Sequence, residues 1–238
     1  MNSKFKHRSQ LNEMMDDPEV SEELLYKNLH ELDLLNRYTL AHKKSIRALR
    51  KLVTDHKRAY HIVDLGCGSG DTLKHMAKWA RKNKIEARFT GVDASHKAIA
   101  YLEKHCSQYP EITGVAMSYK EYCQHTSDVD IFHNSLFMHH LSNSELNQAL
   151  IYQKERAAIG FIINDLFRSP LLYHLTRILV AISPKATVLA KNDGPVSVLR
   201  GFKLSELKKH FTEAGIINYK IECGVGFRFV ATVHNSIS

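Results

Sequence analysis

Cysteine is scarce in this chain, long apolar runs are missing, and no stretch is blocked with like charge. The four cysteines, Cys67, Cys106, Cys123 and Cys223, lie far apart and form no C-x-x-C pair. That spacing suggests neither a zinc knuckle nor a thioredoxin-like redox motif. With no signal peptide either, a reducing cytosol is the expected compartment. The most apolar run, "LLYHLTRILVAI" (171–182), carries His174 and Arg177 and is too short to span a bilayer. There is no internal repeat and no low-complexity segment. The net charge is +8, but the bases are spread along the chain rather than gathered in a tail. Excess base admits nucleic acid, an acidic membrane face or an anionic small molecule, and does not choose among them. The densest basic run, "HKKSIRALRKLVTDHKR" (42–58), keeps an apolar stripe at Ile46, Leu49, Leu52 and Val53. It therefore reads as a solvated helix face packed on one side.

What is present is enough for one core: 238 residues at 44% hydrophobic content. The expected organisation is an N-terminal helical extension over 1–59 and a main domain over 60–238. Two helices are expected between residues 21 and 56. Ser21 stands as an N-cap with Glu22 and Glu23 in the first turn, and Leu25, Leu29, Leu32 and Leu35 give one apolar face. From residue 60, short apolar runs alternate with helical segments. Strands are expected at 61–65, 88–93, 114–117, 129–134 and 158–165, and helices near 71–83, 96–108, 119–124 and 143–156. Such alternation argues a parallel sheet covered on both faces. A helix near 204–214 then leads to two strands, "IINYKIEC" and "FRFVATVH", separated only by Gly224, Val225 and Gly226. So short a connection makes them antiparallel. Residues 166–202 fall outside the alternation. They hold an apolar helix (170–182) and a turn-like "KNDGP" (191–195), and leave a strand end where ligands bind in open α/β sheets. A lid is the functional reading of this insertion.

The stretch "HIVDLGCGSGD" (61–71) turns from a strand into a helix on Gly66, Gly68 and Gly70. Glycines there let the backbone approach a ligand, and the helix start offers free N–H groups. A dinucleotide site uses G-x-G-x-x-G, but here Asp71 stands at the third glycine's place, a poor neighbour for a pyrophosphate. A ligand with a positive centre and an ammonium group suits it better. Asp93 ends the next strand in "GVDAS", where a carboxylate accepts ribose hydroxyls.

"VDLGCGSGD" followed by "GVDAS" resembles the first two motifs of class I S-adenosylmethionine-dependent methyltransferases, and the element order resembles that fold. The resemblance covers about residues 60–235. It implies a Rossmann-like seven-stranded, mostly parallel sheet with a C-terminal antiparallel strand, and S-adenosylmethionine as cofactor. It implies that Asp64, Gly66, Gly68 and Gly70 surround the methionine part, that Asp93 holds the ribose, and that Ala94 lies beside the adenine. After the third strand, where many members carry an acid, this chain has Ser118 and Tyr119. "FHNSLFMHHL" is similar to the motif near the transferred methyl, which implies Asn134 against the cofactor's amino acid and His139 near the pocket. "IINDLFRSPLLYHL" and "NDGPVSVLRGF" resemble a bacterial subgroup acting on small molecules of polyketide, phenolic or quinone-like type.

Methyl transfer is a displacement at an already activated carbon, so the protein mainly aligns the reactants in a dry site. A phenol or enol must also lose a proton, and a neutral histidine is matched to that near pH 7. His139 is the candidate, with His140 pointing elsewhere. Asp165 and Arg168, after the fifth strand, are the candidates to orient a substrate hydroxyl and bind an anion, or else to pair with each other. Asn164 stands on the same rim, Arg200 is a further candidate for the anion, and Tyr173 and His174 lie on the lid helix, facing either the pocket or the core. No metal centre is expected, since the spacing of His133, His139 and His140 does not place three nitrogens around one ion. The partner expected is a small-molecule acceptor, with no membrane span; a homodimer is compatible. An RNA methyltransferase and a non-catalytic cofactor-binding protein are the alternatives. "HNSLF" lacks the N-P-P-Y-like signature common in nucleic-acid amino-methyltransferases of this fold.

Overall fold

The computed structural model describes residues 3–224 and 227–235. Seven strands form one sheet in the order β3-β2-β1-β4-β5-β7-β6. They are β1 (Tyr60–Leu65), β2 (Ala87–Asp93), β3 (Ile112–Ala116), β4 (Val129–Ser135), β5 (Ala157–Leu166), β6 (Tyr219–Gly224) and β7 (Arg228–His234). β7 runs antiparallel to both its neighbours, and the other pairings are parallel. This is the Rossmann-like arrangement read from the sequence, hairpin included. Val225 and Gly226 of the hairpin turn lie outside the described residues.

Period-two alternation sends successive strand residues to opposite faces. Ile62, Phe89, Ile131, Ile162 and Val230 pack against α2 (Ala41–Leu52), α3 (Asp71–Lys82) and α4 (His96–His105). Val63, Phe132, Phe161, Ile163 and Phe229 pack on the other face, where α6 (Asn143–Arg156) supplies Leu146 and Leu150 and α9 (Leu204–Glu213) supplies Leu207 and Phe211. α5 (Tyr119–His125) lies on that second face too, through Cys123.

α1 (Glu22–Tyr38) is capped by Ser21, whose side chain accepts the Leu24 N–H. Its buried face differs from the leucine stripe expected. Leu25 and Leu29 are buried, but so are Asn28, Asp33 and Asn36, whereas Leu35 is half exposed. The helix has turned a polar stripe inward because Asp71 of α3 and the hydroxyl of Thr187 offer it hydrogen-bonding groups.

The insertion holds two helices, α7 (Pro170–Ile182) and α8 (Val188–Arg200). "KNDGP" is not a turn. α8 runs through it with Pro195 inside the helix. Packing on α7 overrides the local breakers: a Cβ on Gly194 would stand 3.0 Å from Thr176 Cγ2, so glycine allows the close approach. α7 buries only Tyr173 and turns Leu171, Ile178, Leu179 and Ile182 outward.

Candidate functional site

The site lies at the carboxyl ends of β1, β2, β4 and β5. Gly66, Gly68 and Gly70 all have left-handed φ, at +69°, +50° and +69°, which L-residues adopt at a cost. The N–H groups of Gly66 and Cys67 donate to the Val92 carbonyl and hold the turn against β2. Asp93 Oδ2 accepts the Gly68 N–H at 3.0 Å and Oδ1 accepts the Ser95 N–H at 2.9 Å. Burial pushes the Asp93 carboxyl up, and those two bonds work against it. Ala94 follows, exposed, and Ser118 caps α5 by accepting the Glu121 N–H.

Leu136, the first residue after β4, also sits at positive φ (+53°), strain that a non-glycine residue keeps only where the surroundings impose it. It delivers Phe137 onto the glycine turn. A Cβ on Gly66 would stand 2.3 Å from the Phe137 ring, and one on Gly68 would stand 3.3 Å from Leu29 of α1. Phe137 and Leu29 thus cover the turn.

Beyond Phe137, His139 is 2% exposed. Its Nδ1 lies 2.7 Å from Asp165 Oδ1, its backbone N–H donates to Asp165 Oδ2 at 3.2 Å, and its Nε2 lies 3.4 Å from Glu13. Burial alone would lower the imidazole's pKa, but Asp165 and then Glu13 outweigh it and raise it to about 9. Both carboxylates are held below their ordinary range by the charge they share, against the desolvation that would raise them. His140 turns its Nδ1 to Asp16 at 2.9 Å.

The remaining candidates lie elsewhere. Asp64 is buried on the α2 face and its Oδ1 lies 2.7 Å from His133 Nδ1; His133 Nε2 in turn lies 2.8 Å from Ser45 Oγ. Asn164 donates to the same Ser45 hydroxyl at 2.9 Å. These four residues bind α2 to the sheet. The Asn134 amide reaches into the α6 layer and donates to Gln153 Oε1 at 3.1 Å. Arg168 forms no pair with Asp165; it donates to the carbonyls of Phe5, Lys6 and Gly201 and pairs with Glu206. Arg200 similarly donates to the carbonyls of His139, His140 and Leu11. Tyr173 packs against Phe5, and His174 is exposed.

Sequence reasoning missed the strap that these arginines hold. Residues 3–20 cross the strand ends as an irregular segment with two short 3₁₀ turns. Arg8 donates to the His139 and Leu141 carbonyls, Asp193 accepts the Met14 and Met15 N–H groups, and Glu13 and Asp16 meet the two histidines. The segment is polar and aperiodic, so nothing in it signals a partner more than a hundred residues away.

The turn and Asp93 fit S-adenosylmethionine. Three positions without Cβ leave the cradle open to a ligand once Phe137 and Leu29 shift, and Asp93 keeps lone pairs for ribose hydroxyls. Residues 62–154 match the family model described as "Methyltransferase domain". A search of curated proteins returned no match. Among solved structures, the chain is similar to the plantazolicin methyltransferase BpumL in complex with SAH (16% identity, TM-score 0.62, 87% of this chain and 81% of that one). It is similar to magnesium protoporphyrin IX methyltransferase from Synechocystis with bound SAH (15%, 0.55, 83% and 84%). It is also similar to human N-acetylserotonin methyltransferase in complex with SAM (13%, 0.61, 90% and 56%). The chain spans just over half the length of the human enzyme, and 57% of a Nostoc punctiforme protein of the same fold. Residues 62–154 thus match a methyltransferase domain, and the chain shares the fold of solved methyltransferases that carry SAM or SAH.

Proposed function

We propose that this chain methylates an oxygen or carbon of a small acceptor bearing an ionisable hydroxyl, of phenolic, quinone-like or polyketide type. The observation that carries the reading is His139, buried between Asp165 and Glu13 two residues beyond the ring that covers Gly66. Residues 60–238 are read as the catalytic domain and 1–59 as its cover. The solved relatives named for a porphyrin, for plantazolicin and for N-acetylserotonin support a small acceptor.

S-adenosylmethionine, when bound, supplies a methyl group made electrophilic by its positive sulfur. Gly66, Gly68 and Gly70 let its methionine part lie on the backbone, and Asp93 accepts its ribose hydroxyls. Asp165 fixes the His139 ring through Nδ1 and leaves Nε2 facing the place where Glu13 now lies. An acceptor hydroxyl taking Glu13's place meets that nitrogen. Withdrawing Glu13 also removes one of the two carboxylates that hold His139 protonated. The ring then returns toward the range where it takes the acceptor's proton. Asp165 and Arg168 act as positioning residues, the first on His139 and the second on the strap. Ala94 and Ser118 stand at the cofactor's end of the site, while Asp64 and Asn134 brace the sheet beneath it through His133 and Gln153.

The test is product formation by mass spectrometry with a panel of phenols and enols. His139→Asn should lower kcat by about 10²–10⁴-fold while leaving S-adenosylhomocysteine affinity near wild type. A His139→Asn enzyme as fast as wild type would overturn the assignment.

A further inference from the structure

A second cluster lies on the outer side of the cover. We propose that α1, α2 and α3 hold one divalent metal ion of the zinc class on Asp33, His42 and His75. His42 is 3% exposed. Its Nδ1 lies 3.2 Å from Thr72 Oγ1, which orients the ring as partners of metal-bound histidines do. Its Nε2 lies 3.4 Å from Asp33 Oδ1 and 3.3 Å from Asp71 Oδ2, yet forms no hydrogen bond to any described residue. Ligands on a tetrahedral zinc, each about 2.0–2.1 Å from the ion, stand roughly 3.3 Å apart, and the His42 Nε2–Asp33 separation already matches that. The His75 ring stacks on His42 at 4.3 Å, and one donor atom from each of Asp33, His42 and His75 falls within 4.8 Å of the others. Asn36 Oδ1 beside Asp71 is also buried with no hydrogen-bond partner among the described residues.

The electrostatics suit a cation that binds imidazole and carboxylate together. Arg37, which now chelates Asp33, is half exposed and can swing into solvent. A cavity of about 140 Å³ opens beside the cluster, bordered by Asp33, Asp71 and His75 and, on its rim, by the basic Arg37, Lys74 and Lys78. Two imidazoles with a carboxylate favour zinc or its transition-metal neighbours over magnesium or calcium. The ion ties α1 to α2 and α3 one turn from Leu29, the residue covering Gly68, and so pins the cover in place.

The experiment strips the full chain with a chelator and titrates it with zinc against a chromophoric competitor. Cobalt absorption then reports the ligand set. One equivalent should bind, and His42→Asn or His75→Asn should each weaken it by about 100-fold or more. The half-buried His75 decides the matter if His42→Asn does not fold. Zinc binding should survive in His139→Asn, which disrupts the separate group of Glu13, His139 and His140. No binding to wild type overturns the proposal. So does binding that survives both His42→Asn and His75→Asn, or that is lost in His139→Asn alone.

Discussion

Raising the pH should unfasten His139 from its two carboxylates, and the size of the effect follows from its surroundings. The imidazole titrates at 6.5 unfolded and at about 9 in the folded chain. A group whose pKa is raised by folding stabilises the fold fully below its unfolded value and loses that contribution as pH climbs through its folded value. The rise is worth about 3 kcal/mol at full burial, present at pH 6 and nearly gone by pH 10. Burial holds His42, His61, His75, His105 and His210 below the ordinary imidazole range, so these five do not titrate inside the window. The assay is a pair of titrations. The first follows the His139 ring proton by NMR, assigned by its loss in His139→Asn, and should give a midpoint near 9. The second measures unfolding by denaturant between pH 6 and pH 10. Wild type should lose about 3 kcal/mol more than the variant over that interval. Parallel profiles for the two proteins, or a ring midpoint at or below 7, would refute the argument that Asp165 and Glu13 outweigh burial.

Two further substitutions probe separate parts of the fold. Asp93→Ala should weaken S-adenosylhomocysteine about 100-fold by calorimetry, because two hydrogen bonds to a carboxylate are lost, at about 1.5 kcal/mol or more each; NAD serves as the control ligand, and an unchanged affinity contradicts the ribose assignment. Ser142→Ala removes the N-cap of α6, where Ser142 Oγ accepts the Glu145 N–H and Glu145 Oε2 accepts the Ser142 N–H. It should cost about 1 kcal/mol in denaturant unfolding, and no measurable loss would show the capping box to be idle.

The parts of the fold legible in the sequence are those specified by local chemistry. Apolar runs ending in Asp64 and Asp93 gave the strands, the glycines gave the turn, and a connection too short for a crossover gave the antiparallel hairpin. The meeting of His139 with Asp165 is also local once β4 and β5 are neighbours, because Ser135 pairs with Asn164 and the two chains leave the sheet side by side. Where tertiary packing overrode local preference, the sequence misled. "NDGP" carries turn formers, yet Asp193 is helical and spends its carboxylate on the strap's Met14 and Met15. Leu35 continues a leucine repeat, yet the partners of α1 are polar and the helix rotates to bury Asp33 and Asn36.

Glu13 belongs to a different class of illegibility, and its physics bears on how the site works. The strap buries one large side chain, Phe5, at its start; across the site itself it is held by charge and by arginines donating to carbonyls. Each of those groups gives up water on closing, and a buried ion pair returns little more than that desolvation cost. A strap sealed by aliphatic burial would cost its full transfer free energy to lift. One held by Glu13 on His139 and Asp16 on His140 can instead exchange those contacts for hydrogen bonds to the acceptor hydroxyl proposed above, at small net cost. The polar, aperiodic composition that hid the strap from sequence reasoning is thus the same property that makes it displaceable by a ligand.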